Sequence, residues 1–197
     1  QAGHLSIIQN VGYPNPNRSH FRSQEIWQTA ADSNQYLNDG WLGRFLEIQC
    51  KDEVPPAVNV DTIDNLALKS TTINSFTVKD FNRLKQQHST EANYQLSDNP
   101  QLDFVRKLAY ASLEGTDEIQ KALQNAPSHN TNYANNPLSR NLNWIAKLIK
   151  GQLSSKVYYT SLNGFDTHNN QLNIHHKQLS ILNDAVFSFY NDLKQHN

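Results

Sequence analysis

The sequence predicts an α/β protein in which a partial parallel sheet is flanked by helices, and the helices outweigh the strands. Short apolar or β-branched runs lie near residues 4–12 and 156–162, and longer segments carry apolar residues at helical spacing. Each of these short runs precedes a polar loop and then a helical segment, as in open α/β folds. Ligands in such folds collect at loops leaving the carboxyl ends of strands, so these two loops are the expected site.

The composition fits one globular domain with a thin core. The 197 residues are 37% hydrophobic, with 17 basic and 18 acidic side chains. The scattered lysines and arginines form no basic face, which argues against a nucleic-acid partner. No run approaches the roughly 18 apolar residues that a membrane span requires. The lone Cys50 cannot form an internal disulfide, and nothing in the sequence indicates an oligomeric state.

The N-terminal elements are predicted from turn and capping residues. The apolar run from His4 to Gly12 predicts a buried strand, and the prolines of Tyr13–Arg18 end it in a loop. Ser19 suits a helix N-cap, because its hydroxyl can accept from an unpaired amide of the first turn. Apolar residues then recur at helical spacing from His20 to Ala31.

The middle of the chain gives weaker patterns. A second helix opens at Gly40–Leu46, Ala57–Val60 and Asn65–Lys69 are expected to be short strands, and Phe76–Gln87 is ambiguous between strand and helix. From Pro100 to Asn125 the spacing is helical, with Leu102, Val105, Leu108 and Ala109 on one face. Gly115 is expected to interrupt that helix.

The last third gives the clearest pattern. Proline at the start and Gly151 after the end delimit a helix over Pro137–Lys150. The β-branched and aromatic run Lys156–Leu162, closed by Asn163-Gly164, predicts a strand. A final helix is expected from about Leu172 to Lys194, and its predicted buried stripe is Leu172, His175, Leu179, Leu182, Val186, Phe189 and Leu193.

The loop after the last strand carries candidate metal ligands. Asp166 and His168 are two residues apart, so both can face one divalent ion, and zinc or manganese accepts this ligand set. His175 lies on the apolar stripe in the first turn of the next helix and is a further candidate. The alternative is structural: Asp166 caps the turn, His168 is solvated, and His175 is a core histidine bonded to a carbonyl.

The first loop carries candidate residues for anionic chemistry. Ser19 and His20 are the candidate catalytic residues, since a hydroxyl at a helix start lies among amide donors that stabilise an oxyanion. Arg18 and Arg44 are candidate ligands for an anionic substrate. Simple capping by Ser19 and a surface position for Arg44 are the alternatives.

These motifs resemble a known family. The segments that carry the likeness are Tyr13 to Phe21, Gly40-Trp41-Leu42-Gly43-Arg44, Gly164-Phe165-Asp166-Thr167-His168 with Gln171 and His175, and Ala185 to Leu193. In this order they resemble the domain-of-unknown-function family numbered 1501. The likeness spans nearly the whole chain, although residues 51–127 contribute no motif.

The resemblance implies a fold similar to the alkaline-phosphatase-like superfamily. Its enzymes hold one or two metal ions beside a nucleophile, so Asp166 and His168 would be metal ligands, His175 a further one, and Ser19 the nucleophile by analogy of position. The family's upstream glycine-rich element with an aspartate, and its downstream Ser-Glu-Phe-Gly-Arg and Thr-Asp-His-Gly elements, do not occur in these 197 residues. If a two-metal site applies, the ligand set here is incomplete.

The expected function follows from that resemblance. The chain, which contains no methionine, is expected to be one domain over 1–197, the incomplete central portion of a larger alkaline-phosphatase-like domain. The parent would be a bacterial periplasmic or cell-surface metal-dependent hydrolase of phosphate or sulfate esters, acting on an anionic small molecule or glycan. The alternatives are a non-catalytic binding or scaffold domain of the same fold, and an ordinary α/β module whose Asp166, His168 and His175 are structural.

Overall fold

A computed structural model describes residues 4–50, 54–72, 75–86, 98–128 and 131–196. The described elements, in chain order, are α1 (His20–Thr29), α2 (Trp41–Gln49), β1 (Ala57–Asn59), a 3-10 turn (Leu66–Leu68), β2 (Phe76–Thr77), α3 (Phe81–Gln86), α4 (Pro100–Asn125), α5 (Pro137–Lys150), β3 (Val157–Tyr159) and α6 (Gln171–Lys194). The protein is therefore α/β and rich in helix, as the sequence predicts.

The sheet has three strands in the order β2-β1-β3, and both pairings are parallel. Val58 of β1 is in register with Phe76 on one side and with Tyr158 on the other. All of β1 is buried, as a central parallel strand covered on both faces should be.

The two faces of β1 contribute to separate clusters, because successive side chains of a strand point to opposite faces. Ala57 packs with Leu46, Cys50 and Leu68, on the face that α2 and the 3-10 turn cover. Val58 belongs to the larger cluster on the other face, formed with residues of α3, α4 and α5 that include Phe81, Ile119, Ile145 and Leu148. None of the helices in the described ranges is long and apolar enough to cross a membrane.

Local chemistry explains the confirmed helices. Ser19 caps α1 by accepting from the Arg22 amide at 3.4 Å, and Asn136 caps α5 by accepting from the Ser139 amide at 2.9 Å. Proline stands in the first turn of α4 and of α5, where its missing amide hydrogen costs nothing. The Gly151 amide closes α5 by donating to the Lys147 carbonyl.

Three predictions about local structure are wrong. Residues 4–12 form no strand; Ile7 and Ile8 are about four-fifths exposed, because no strand in the described residues pairs with this run. Asn65–Lys69 is not a strand, since the Asn65 side chain accepts from the Ala67 amide and nucleates the 3-10 turn. Gly115 does not interrupt α4, and its lack of a side chain leaves room for the Phe76 ring.

The face that α6 buries also differs from the prediction. The fully buried residues are Ala185 and Asp192, whereas Leu172 and Leu179 of the predicted stripe are 83% and 54% exposed. The most buried face is thus turned by less than the roughly 100° that separates successive residues, and His175, Val186, Phe189 and Leu193 of the predicted stripe remain partly buried. The Asp192 carboxylate lies 2.7 Å from the Lys150 ammonium in a buried ion pair with α5, which holds the helix in this rotation.

Candidate functional site

The candidate residues lie on two loops that flank the sheet. The loop 160–170 leaves the carboxyl end of β3 and leads into α6, and the loop 13–19 leads into α1. Helix α1 contacts the 3-10 turn that follows β1. The fold therefore brings the start of α1 toward the loop after β3, although residues 4–12, which precede the first loop, form no strand.

The first loop is held against α1 by one tyrosine. The Tyr13 hydroxyl accepts from the Asn17 amide at 2.8 Å and shares a 2.8 Å hydrogen bond with the Ser23 hydroxyl. The Asn17 side chain accepts from the Ser19 amide at 2.7 Å. These contacts fix the backbone at Ser19, and within the described ranges the Ser19 hydroxyl makes only the long 3.4 Å capping bond.

The second loop depends on a glycine. Gly164 has φ of 99°, a conformation that L side chains rarely adopt, and a β-carbon there would lie 2.2 Å from Nε2 of Gln178. The neighbouring Phe165 ring packs edge-on against His175 of α6, with ring centroids 5.7 Å apart. His175 is half-buried under this loop, as predicted, and its described partner is the Phe165 ring.

Asp166 lies between two histidines. Its carboxylate is 3.2 Å from Nε2 of His168 and 3.6 Å from Nε2 of His20, which lies 146 positions earlier at the start of α1. All three side chains are more than 60% exposed. The structure thus places His20, a candidate catalytic residue at the end of the first loop, beside Asp166 and His168, the candidate metal ligands of the second loop.

The donor chemistry fits part of a zinc or manganese site. Bonds of about 2.0–2.1 Å in a tetrahedral zinc site put neighbouring ligand atoms about 3.3 Å apart, close to both spacings around Asp166. Within the described ranges, however, no group of three or more His, Cys, Asp or Glu side chains is arranged to hold one ion. The chain's described residues therefore offer pairs of donors, and a complete site requires further ligands.

The two candidate substrate arginines have different surroundings. Arg44 is bonded to the Asp39 carboxylate at 2.5 Å and to the Thr29 carbonyl at 2.7 Å, so it ties α2 to the end of α1. Arg18 is exposed on the first loop. Roles for Arg18 and Arg44 as ligands for an anion stay predictions.

One carboxylate at the same edge of the sheet was not among the predicted site residues. Asp61 lies two residues after the end of β1 and accepts from the hydroxyl of Ser161, which lies two residues after the end of β3. Beside it, the Asn141 side chain donates to the Val60 carbonyl at 3.0 Å and to the Thr160 hydroxyl at 2.9 Å. An aspartate immediately after a buried apolar strand was the available signal for this residue.

Comparison of the chain with protein-family models, with curated proteins and with solved structures found no match. The family resemblance therefore rests on the sequence motifs alone.

Proposed function

We propose that this chain contributes to a divalent-metal-dependent hydrolase that resembles phosphatases and sulfatases and acts on anionic phosphate or sulfate esters. The supporting observation is the position of Asp166 between His168 and His20, on two loops distant in sequence. A fold like that of the alkaline-phosphatase-like superfamily, and a periplasmic or cell-surface location of the parent, belong to the same proposal.

In this proposal Asp166 and His168 hold the metal, with His175 as a further candidate. Zinc or manganese bound there would polarise the ester oxygen and lower the pKa of the nucleophile. His175 is half-buried against the Phe165 ring, and no described hydrogen bond or ion pair joins it to Asp166 or His168. The Asp166–His168 pair is therefore the part of the metal proposal with the best support.

Ser19 is the proposed nucleophile and His20 its proposed base. The fixed backbone at Ser19 and the weak capping bond of its hydroxyl support this role, since the hydroxyl keeps its proton and a lone pair for reaction. The Asp166 carboxylate beside His20 would orient the imidazole and stabilise it once it has taken the proton. Arg18 on the same loop would attract the anionic ester.

Metal binding tests the proposal directly. We expect the 197-residue chain, dialysed against zinc or manganese, to retain metal that elemental mass spectrometry detects. The Asp166→Asn/His168→Ala variant should lose it, and His176→Ala, an exposed α6 histidine, should not. Equal metal in the wild type and the double variant would overturn the ligand assignment.

Turnover tests the nucleophile. With metal present, we expect any hydrolysis of p-nitrophenyl phosphate or sulfate to fall by at least about 10³-fold in Ser19→Ala. The control Ser180→Ala removes an exposed hydroxyl on α6 that bonds to the His176 carbonyl of its own helix, so turnover should not change. Unchanged turnover in Ser19→Ala would remove the nucleophile from the proposal.

A second candidate function is a non-catalytic binding or scaffold domain of the same fold. The observation in its favour is the exposed apolar surface, which includes Ile7, Ile8, Phe21 and Leu172, each at least three-quarters exposed. Metal binding without ester turnover, in a chain whose surface still binds a partner, would favour this function over the hydrolase.

A further inference from the structure

A polar cavity of about 710 Å³ lies beside the edge strand β2, and none of the residues assigned to the hydrolase site lines it. Its walls come from the loop after β1, the segment after the 3-10 turn, β2 itself and Ser112 of α4. The volume is within the roughly 300–1,000 Å³ typical of small-molecule sites.

Two ammonium groups give this cavity its charge. Lys69 and Lys79 both line it, and one carboxylate, Asp64, lines it with them. Among the residues that the structure describes, neither lysine has a carboxylate within ion-pair distance. The cavity therefore carries net positive charge, and its cations are available to an anion.

The backbone that carries Lys69 is rigid. Its carbonyl accepts from the Gly40 amide at 2.8 Å, and a β-carbon on Gly43 would lie only 2.0 Å from the same oxygen. Helix α2 thus packs directly on this segment. Next to it, the Glu47 carboxylate accepts from the Ser70 hydroxyl at 2.5 Å, which fixes that wall as well.

The opposite wall is also held in place. Lys79 lies between the end of β2, where the Val78 amide donates to the Asn59 carbonyl at 2.8 Å, and Asp80, whose side chain accepts from the Asn82 amide at 2.8 Å. The Thr77 hydroxyl accepts from the buried Asn59 side chain at 3.3 Å, so its own hydrogen is available to donate. Both lysines therefore extend from fixed backbone.

The rest of the lining suits a hydroxylated molecule. The hydroxyls of Ser75 and Thr77 can donate or accept, and the Asp64 carboxylate can accept from a ligand hydroxyl. Phe76 and Leu66 add apolar area on which a sugar ring can lie. A neutral apolar ligand would leave these polar groups and both ammonium groups unpaired.

We propose that this cavity binds an anionic, hydroxylated small molecule such as a sugar phosphate or sugar sulfate. The two lysines contact the anionic group, and Asp64, Thr77 and Ser75 contact the hydroxyls. The binding site is separate from the hydrolase proposal, and it stands whether or not the Asp166 loop hydrolyses esters.

Isothermal titration with glucose 6-phosphate, glucose 6-sulfate, inorganic phosphate and glucose tests the proposal on the 197-residue chain. We expect both charged sugars to bind, inorganic phosphate to bind more weakly, and glucose not to bind at all. The Lys69→Ala/Lys79→Ala variant should lose about tenfold or more in affinity, because each lysine makes a charge-assisted bond. Comparison of glucose 6-phosphate with glucose 6-sulfate shows which of the two anionic groups the site accepts.

The matched control, Lys177→Ala/Lys194→Ala, removes the same charge from exposed positions on α6 and should bind as the wild type does. Thr77→Val should weaken the sugar phosphate but leave inorganic phosphate unchanged. The proposal is overturned if neither charged sugar binds by about 10 mM, or if the Lys69→Ala/Lys79→Ala variant binds as tightly as the control. Equal affinities for inorganic phosphate and the sugar phosphate would overturn the role of the hydroxyls.

Discussion

Asp192 is the buried charge on which the packing of α6 depends. It accepts from Lys150, Thr131 and Tyr133 at 2.7, 3.0 and 2.9 Å, and both members of the ion pair are about 2% exposed or less. Burial pushes the pKa of Asp192 up, but the bonds from Lys150, Tyr133 and Thr131 outweigh it, and the pKa falls below its ordinary value. The carboxylate is thus charged and fully bonded inside the protein.

Removing one member of the Lys150–Asp192 ion pair should destabilise the folded protein. We expect Asp192→Ala to lower the free energy of unfolding by about 3–5 kcal/mol, because it leaves the Lys150 ammonium buried without a partner. The double variant Lys150→Met/Asp192→Leu should lose less than either single variant. Urea unfolding measures these differences, and Lys121→Ala, which breaks an exposed pair, should leave the free energy of unfolding nearly unchanged. A loss below 1 kcal/mol in Asp192→Ala would contradict a buried ion pair of this kind.

Glu47 should make stability depend on acid pH. Hydrogen bonds from Ser70 and Thr71, followed by the amides of Thr72 and Thr71, lower the pKa of Glu47 to about 2 from 4.5. Because the folded pKa is below the unfolded one, the stabilisation is present above pH 4.5 and is lost as the pH falls toward 2. Glu47→Gln should flatten the pH dependence of the unfolding midpoint between these values. An unchanged slope in that variant would show that Glu47 does not carry the effect.

At the scale of the element, α2 shows a glycine whose role overrides helix propensity. Alanine is the better helix former, yet a β-carbon on Gly43 would collide with the Lys69 carbonyl. We expect Gly43→Ala to lower the free energy of unfolding by about 1–3 kcal/mol, as overpacking usually does. The control Gly12→Ala meets nothing within 4 Å and should leave stability nearly unchanged. A Gly43→Ala variant more stable than the wild type would contradict this prediction, because the segment that carries Lys69 would then have moved to make room for the β-carbon.

Elements with local chemical signals were predictable from the sequence. The caps Ser19 and Asn136, the prolines that open α4 and α5, and the β-branched composition of β3 all act within a few residues. Elements that depend on partners distant in the sequence were not predictable. The apolar run at 4–12 predicts a strand only if another strand accepts it, and the orientation of α6 depends on a lysine 42 positions earlier in the chain.

The residues of the candidate site also fall into two groups, those predictable from neighbouring residues and those whose contacts depend on distant parts of the chain. The sequence places Asp166 and His168 together because they are two residues apart, and it places Ser19 at a helix start. The contact between Asp166 and His20 depends on the packing of α1 near the loop after β3, which no local pattern contains. Asp61 was missed because its partner, Ser161, lies 100 positions away.

At the scale of the whole molecule, many large apolar side chains of the described residues lie on the surface. They include Leu5, Ile7, Ile8, Phe21 and Leu172, each at least two-thirds exposed. Much of the predicted apolar stripe of α6 is part of this surface.

Dye binding tests the exposure of α6. We expect the chain to bind the apolar dye ANS in its folded state, and Leu172→Ser/Leu179→Ser to reduce the fluorescence. Because both leucines are exposed, this variant should change the free energy of unfolding by about 0.5 kcal/mol or less. Leu148→Ala, in the core, should cost about 2–5 kcal/mol. A large loss of stability in the α6 variant would show that these side chains are buried.

The central position of β1 also determines when the sheet can be completed during synthesis. Val58 pairs with Phe76 soon after it is made, but its other neighbour, Tyr158, is 100 positions later. At about 5–20 residues per second, a ribosome needs on the order of 5–20 s to supply that strand. During this interval one edge of β1 lacks its partner strand, so the nascent chain presents an unpaired edge that can associate with other chains.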